Sequence, residues 1–92
     1  MTQEKNKCWF VYILECNDGT LYTGITTNVE RRIDEHNTSK KGAKYTRSRR
    51  PVKLAAIVAI CEDRASASRK EYNIKKLKRS QKIKLINSAS FK

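Results

Sequence analysis

Arg32 and His36, one helical turn apart, carry the first suggestion of chemistry in this sequence. They follow Thr26, Thr27 and Asn28, three candidate N-caps, in a segment whose apolar anchors are Val29 and Ile33. On a wheel of about 100° per residue, His36 falls roughly 20° from Val29 and Arg32 roughly 60°. Both therefore lie on or beside the buried face, while Arg31 points to solvent. A guanidinium and an imidazole at the edge of a core need partners. A bound phosphate would serve both; so would a carboxylate for Arg32 and a packing role for His36. In a later helix, Ala67, Ile74 and Leu77 define an apolar stripe with Glu71 at its border. Next to Lys75 and Lys78, Glu71 is either half of a surface ion pair or a lone carboxylate ligand for Mg²⁺. That ion needs only one or two protein carboxylates and keeps several waters.

Two tyrosines stand on short strand-like runs. Residues 8–16, CWFVYILEC, are apolar on both faces and read as a strand covered on both sides. Asn17-Asp18-Gly19 is a turn signal, and residues 20–24 read as the returning strand. A two-residue turn would put Tyr12 and Tyr22 on opposite faces. A three-residue turn pairs Leu14 with Tyr22 and puts both tyrosines on one face. The first helix runs to about residue 38. A polar, basic loop, residues 38–51, closes at Pro51. Residues 52–61 read as a third strand. Asp63 or Arg64 precedes a long helix to about Arg79, and Ser80 caps a final short one. The expected fold is α+β: a small three-stranded, mainly antiparallel sheet flanked by helices.

Composition narrows the partners. The 92 residues suffice for one domain, with the polar residues 1–7 read as a flexible N-terminus lacking the apolar core of a signal peptide. No run of apolar residues is long enough to span a membrane. Cys8, Cys16 and Cys61 show neither metal-ligand spacing nor a disulfide framework, and read as buried thiols in a reducing cytoplasm. Twenty-one Lys and Arg against nine Asp and Glu give a formal charge of +12. A chain this basic attracts polyanions, of which nucleic acid is the commonest; a phospholipid surface and plain solubility are the competing explanations of the charge.

The linear order FVYIL, YTG, NVERR with His36 after it, a basic loop and then KEYNIKKLKR closely resembles the GIY-YIG nuclease superfamily, above all its small stand-alone bacterial members. Phe10-Val11-Tyr12 stands for the first signature triplet and Tyr22-Thr23-Gly24 for the second, with Thr23 in place of isoleucine. Thr26 and Asn28 match polar positions that follow. Arg32 falls at the family's arginine, His36 at the position one turn on, and Glu71 at the metal-binding glutamate. Where many members carry an asparagine this chain has Ile83, with Asn87 the nearest amide.

The resemblance implies a Mg²⁺- or Mn²⁺-dependent endonuclease that hydrolyses DNA phosphodiester bonds, in repair or processing. It implies a metal on Glu71, Arg32 as clamp on a phosphoryl oxygen, and Tyr12 as general base. Tyr22 would position the water or share that task, and His36 would be either the base's partner or a phosphate donor. An unperturbed tyrosine has a pKa near about 10, so Tyr12 would need nearby cations to act at neutral pH. Lys40, Lys41, Lys44, Arg47, Arg49 and Arg50 would follow the nucleic-acid backbone, with Tyr45 free to stack on a base. Phosphate contacts give affinity without sequence readout. Specificity is therefore expected to be low, any preference being for branched or damaged DNA, or supplied by a partner protein; RNA remains open as a substrate. The rival readings are a weakly active or inactive fold kept as a nucleic-acid-binding module, and a basic adaptor for an acidic surface.

Overall fold

The computed structural model describes residues 8–89; the N-terminal segment read as flexible lies outside them. The elements are β1 (Trp9–Glu15), β2 (Leu21–Thr26), α1 (Val29–Thr38), α2 (Lys44–Arg47), β3 (Lys53–Cys61), α3 (Arg64–Lys75) and α4 (Arg79–Ser88). The strands form one antiparallel sheet in the order β2-β1-β3. The fold is α+β, a three-stranded sheet flanked by helices.

The doubly apolar run becomes the central strand. Val11 and Ile13, fully buried, meet Ala67 and Ile74 of α3, with Leu85 and Ile86 of α4 beside them. Tyr12 and Leu14 point the other way, to a cluster with Cys16, Val52, Tyr22, Leu54 and Ile33 of α1. Burying each aliphatic side chain of this kind contributes about 1.5–3 kcal/mol. The hairpin takes the longer of the two turns considered: the Cys16 amide donates to Thr20 O at 2.9 Å, and Leu14 pairs with Tyr22. Tyr12 pairs with Gly24 in the same register, so both tyrosines share the α1 face. Two register shifts in the β1–β3 pairing, between Val11 and Tyr12 and between Ile13 and Leu14, bulge the β3 edge.

Several boundaries differ from the sequence expectation. The basic loop contains a helical turn, α2, anchored by a polar residue, the fully buried Thr46; no apolar period marks it. β2 runs two residues further, to Thr26. The long helix ends at Lys75, and α4 begins at Arg79 with Lys78 as its N-cap in place of Ser80. There Gln81 Oε1 accepts from the Lys78 amide at 3.0 Å, and Arg79 Nη1 donates to Gly19 O at 2.8 Å, tying the helix start to the hairpin turn. Of the cysteines Cys16 is buried and Cys61 half-buried, but Cys8 is exposed, because it precedes the strand that would cover it.

Candidate active site

The site is built on the α1 face of the hairpin. Thr26 Oγ1 accepts from the Asn28 amide at 3.1 Å, and Asn28 Oδ1 accepts from the Arg31 amide at 3.0 Å. This capping fixes where α1 starts, and so which residues face the sheet. Arg31 has 57% of its side chain exposed; Arg32 has 25%. Arg32 Nη1 donates to Glu35 Oε1 at 2.9 Å and to Lys41 O at 2.7 Å. His36 is fully buried. Its Nε2 lies 2.9 Å from Tyr12 Oη and its Nδ1 2.9 Å from Thr46 Oγ1. The partners that the sequence left open are thus internal for both residues. Both ring nitrogens of His36 are engaged, and the ring has no exposed surface.

Tyr12 itself is 1% exposed. Its ring passes over Gly24 so closely that a Cβ there would stand 2.5 Å from Oη and 2.7 Å from Cζ. The glycine of the second triplet is therefore the floor on which the first triplet's tyrosine lies. Burial, then the neighbouring Tyr22, push the phenol up to about 12, with a smaller push from Glu71; Arg32 opposes them and does not prevail. Without a bound metal ion, Arg32 does not bring Tyr12 into the neutral range. Burial and the Arg32 charge hold His36 down at about 4, so the imidazole is neutral at pH 7. Tyr22 packs edge-on against His36 at 5.2 Å between centroids and stacks on Tyr45 at 5.9 Å.

Glu71 stands on α3, the helix that packs on the other face of the sheet. Its charge acts on Tyr12, and its carboxylate meets Lys75 Nζ at 3.2 Å, the surface-pair geometry considered for it. Lys75 Nζ in turn lies 6.0 Å from the centre of the Tyr22 ring. Among the described residues no three His, Cys, Asp or Glu side chains gather as a metal-ligand group. A donor set of one carboxylate suits Mg²⁺ or Mn²⁺ with a largely aqueous shell, and does not suit the four-ligand cage of a structural zinc.

This arrangement brings together, in chain order, a buried tyrosine, a second tyrosine followed by a glycine, an arginine, a histidine and a carboxylate. A family model described as the GIY-YIG catalytic domain matches residues 8–84. The chain belongs to the GIY-YIG family. A UPF0213 protein of Desulfotalea psychrophila is 59% identical over 81 residues, 88% of this chain and 73% of that one. One from Syntrophus aciditrophicus is 52% identical over 77 residues, 84% of this chain and 87% of that one. The solution NMR structure of a UPF0213 protein from Bacillus halodurans matches with a TM-score of 0.56 at 46% identity, covering 90% of this chain and 87% of that one.

Beyond the GIY-YIG signature residues, the basic segment divides in two. Lys40, Lys41, Lys44 and Arg47 are exposed. Arg49 donates to Asp18 Oδ2 at 3.0 Å and to Tyr45 O at 2.8 Å, and lies 3.9 Å over the Tyr45 ring. Arg50 donates to His36 O and, at 2.7 Å, to Ser39 O. Arg49 and Arg50 thus tie the loop to the hairpin and to the end of α1, whereas the other four cations of the expected backbone surface stand exposed. Tyr45, expected to be available to stack on a base, is 39% exposed, with its ring against both Tyr22 and Arg49. Ile83 and Asn87 are both exposed on α4. Thr46 escaped the sequence reading; a lone threonine in a polar loop carries no periodic signal. No helix among the described residues is long and apolar enough to cross a membrane.

Proposed function

We propose that this GIY-YIG domain is a divalent-metal-dependent endonuclease that hydrolyses DNA phosphodiester bonds with low sequence specificity. The observation that carries the reading is the 2.9 Å contact between Tyr12 Oη and the neutral imidazole of His36, made beside Arg32 and within the field of Glu71. A phenol that can pass its proton to an imidazole can accept one from water without ionising first. Tyr12 is the general base and His36 its proton partner. Arg32 is the cation for a phosphoryl oxygen, leaving the bonds it makes to Glu35 and Lys41 as substrate enters. Tyr22, held by His36 and Tyr45, walls the place where water is bound. Glu71 is the metal ligand, releasing Lys75. A Mg²⁺ or Mn²⁺ ion held there would polarise the phosphate and stabilise the leaving oxygen. The exposed Lys40, Lys41, Lys44 and Arg47 supply backbone affinity.

The second reading, a nucleic-acid-binding module with little activity, draws support from the Glu71–Lys75 pair and from Ile83 at the family's asparagine position. Plasmid, branched DNA and RNA, each incubated with and without Mg²⁺ or Mn²⁺, separate the two. Neighbouring substitutions sharpen the test. Arg32→Ala should lower cleavage by about a hundredfold, while Arg31→Ala, directed to solvent, should leave it unchanged. Equal effects of the two would contradict the site as assigned.

A further inference from the structure

We propose that Thr46 is a positioning residue of this site: its hydroxyl holds His36 in the Nδ1–H tautomer, so that the Nε2 lone pair faces Tyr12 and takes the phenolic proton. The catalytic consequence rests on the nuclease reading; the tautomer itself is a property of the free protein.

The assignment follows from counting donors. Three contacts run in line: Tyr12 Oη to His36 Nε2 at 2.9 Å, His36 Nδ1 to Thr46 Oγ1 at 2.9 Å, and Thr46 Oγ1 to Ala43 O at 2.9 Å. A carbonyl oxygen only accepts, so the single Thr46 hydroxyl proton is directed to Ala43. With its proton on Ala43 O, Thr46 offers only lone pairs to the ring, and Nδ1 donates to it. A neutral imidazole carries one N–H, which leaves Nε2 bare, an acceptor for Tyr12. The two tautomers differ in which donor they leave unpaired: the Ala43 amide in the Nδ1–H form, the Tyr12 phenol in the other. The opposite tautomer would either draw the Thr46 proton away from Ala43 O or set two lone pairs against each other. It would also deprive the phenolic proton of the imidazole, while Arg32, the cation acting on that phenol, can only donate. It would gain the Ala43 amide, which donates toward Nδ1 from 3.4 Å, and Ala43 O would keep the Thr46 and Arg47 amides; but that contact is longer than the 2.9 Å phenol contact given up for it. Tyr12, His36 and Thr46 are all buried, so solvent does little to compensate a mispaired group.

The fold seats Thr46 firmly. The Ala43 carbonyl also accepts from the Thr46 amide at 3.1 Å, so α2 begins on the acceptor that orients the hydroxyl. Just before it Gly42 lies against α1: a Cβ at that position would stand 2.7 Å from Glu35 O and 2.8 Å from His36 Cα. The segment carrying Thr46 is therefore packed on the helical turn that carries His36.

The proton balance is then defined. One O–H bond of the attacking water breaks and its proton forms a new O–H bond on Tyr12. The original Tyr12 O–H bond breaks and that proton forms N–H on His36 Nε2. The products are hydroxide and imidazolium, the latter still donating from Nδ1 to Thr46, and Tyr12 stays neutral throughout.

His36 is the sole histidine of the chain, so long-range ¹H–¹⁵N spectra of labelled protein report one imidazole. At pH 7, without metal or DNA, the wild type and Thr46→Ser should show the Nδ1–H pattern. Thr46→Val should shift to Nε2–H, with Nδ1 accepting from the Ala43 amide, and lose cleavage about tenfold or more; Ser should restore it. An Nε2–H pattern in the wild type, or no shift in a folded Thr46→Val, overturns the proposal. If Thr46→Val does not fold, the wild-type and Ser spectra still decide the tautomer. If the tautomer is as stated but the wild type cleaves nothing, the nuclease reading fails and the assignment of Thr46 to the imidazole stands.

Discussion

Gly24→Ala adds one methyl group and should do damage out of proportion to its size. The new carbon would stand 2.5 Å from Tyr12 Oη, 2.7 Å from Cζ and 3.2 Å from Cε2. The obstacle is a rigid ring with 1% of its surface exposed, on the central strand, so it cannot swing aside cheaply. Overpacking of this kind costs about 1–3 kcal/mol. Displacing the phenol also forfeits its hydrogen bond to His36, about 1 kcal/mol more. The sum of about 2–4 kcal/mol corresponds to a fall in the melting midpoint on the order of 10–30 °C for a domain of this size. Thermal unfolding followed by circular dichroism reads it. In a Tyr12→Phe background the nearest atom is gone, and the same alanine should cost less by about 1 kcal/mol. A Gly24→Ala protein melting within about 3 °C of the wild type would refute the close packing of the two triplets.

Three further outcomes follow from the same contacts. The His36 pKa, held at about 4 by burial and by Arg32, lies below its unfolded value of about 6.5. The unfolded chain therefore takes up the proton first; the stabilisation is complete above about pH 6.5 and is lost as the pH falls through about 4, at most about 3 kcal/mol. Denaturant midpoints at pH 7 and 4.5 should differ in the wild type and much less in His36→Gln; equal differences would contradict it. Among the described residues Thr23 Oγ1 is buried without a hydrogen-bond partner. Thr23→Val should accordingly stabilise by up to about 1 kcal/mol, and a loss of that size in urea unfolding would mean that the hydroxyl is satisfied after all. Replacing Lys40, Lys41, Lys44 and Arg47 together with alanine should lower the salt slope of DNA binding by about three to four. Arg50→Ala should instead reduce thermal stability, and an unchanged slope in the quadruple variant would place the nucleic acid elsewhere.

Much of this arrangement could be read from residue order. The doubly apolar run announced a strand covered on both faces, and the helical wheel separated Arg31 from Arg32. What could not be read depended on tertiary contacts. Asn17-Asp18-Gly19 suits turns of either length, and only the Leu14–Tyr22 pairing decides that the tyrosines share a face. α2 was hidden because Thr46 anchors it through hydrogen bonds, which leave no hydrophobic period. The upward shift of Tyr12 has no sequence signal, because burial, set by the covering helix and loop, outweighs the cation beside it. Arg49 and Arg50 look like Lys44 and Arg47 in a basic run, and their partners, Asp18 and the end of α1, are remote or on another element.

The most direct test of the central claim is cleavage of supercoiled DNA by purified wild type and Glu71→Gln, each with Mg²⁺, with Mn²⁺ and with chelator. Glutamine keeps the shape and most of the helix propensity and removes the charged ligand. The wild type should nick DNA only with metal, and the variant should be slower by about a hundredfold or more. DNA affinity and melting temperature should barely change, because the Glu71–Lys75 pair is a partly exposed one that contributes little. Metal-independent nicking, or equal rates for the two proteins, would contradict a metal-dependent nuclease centred on Glu71.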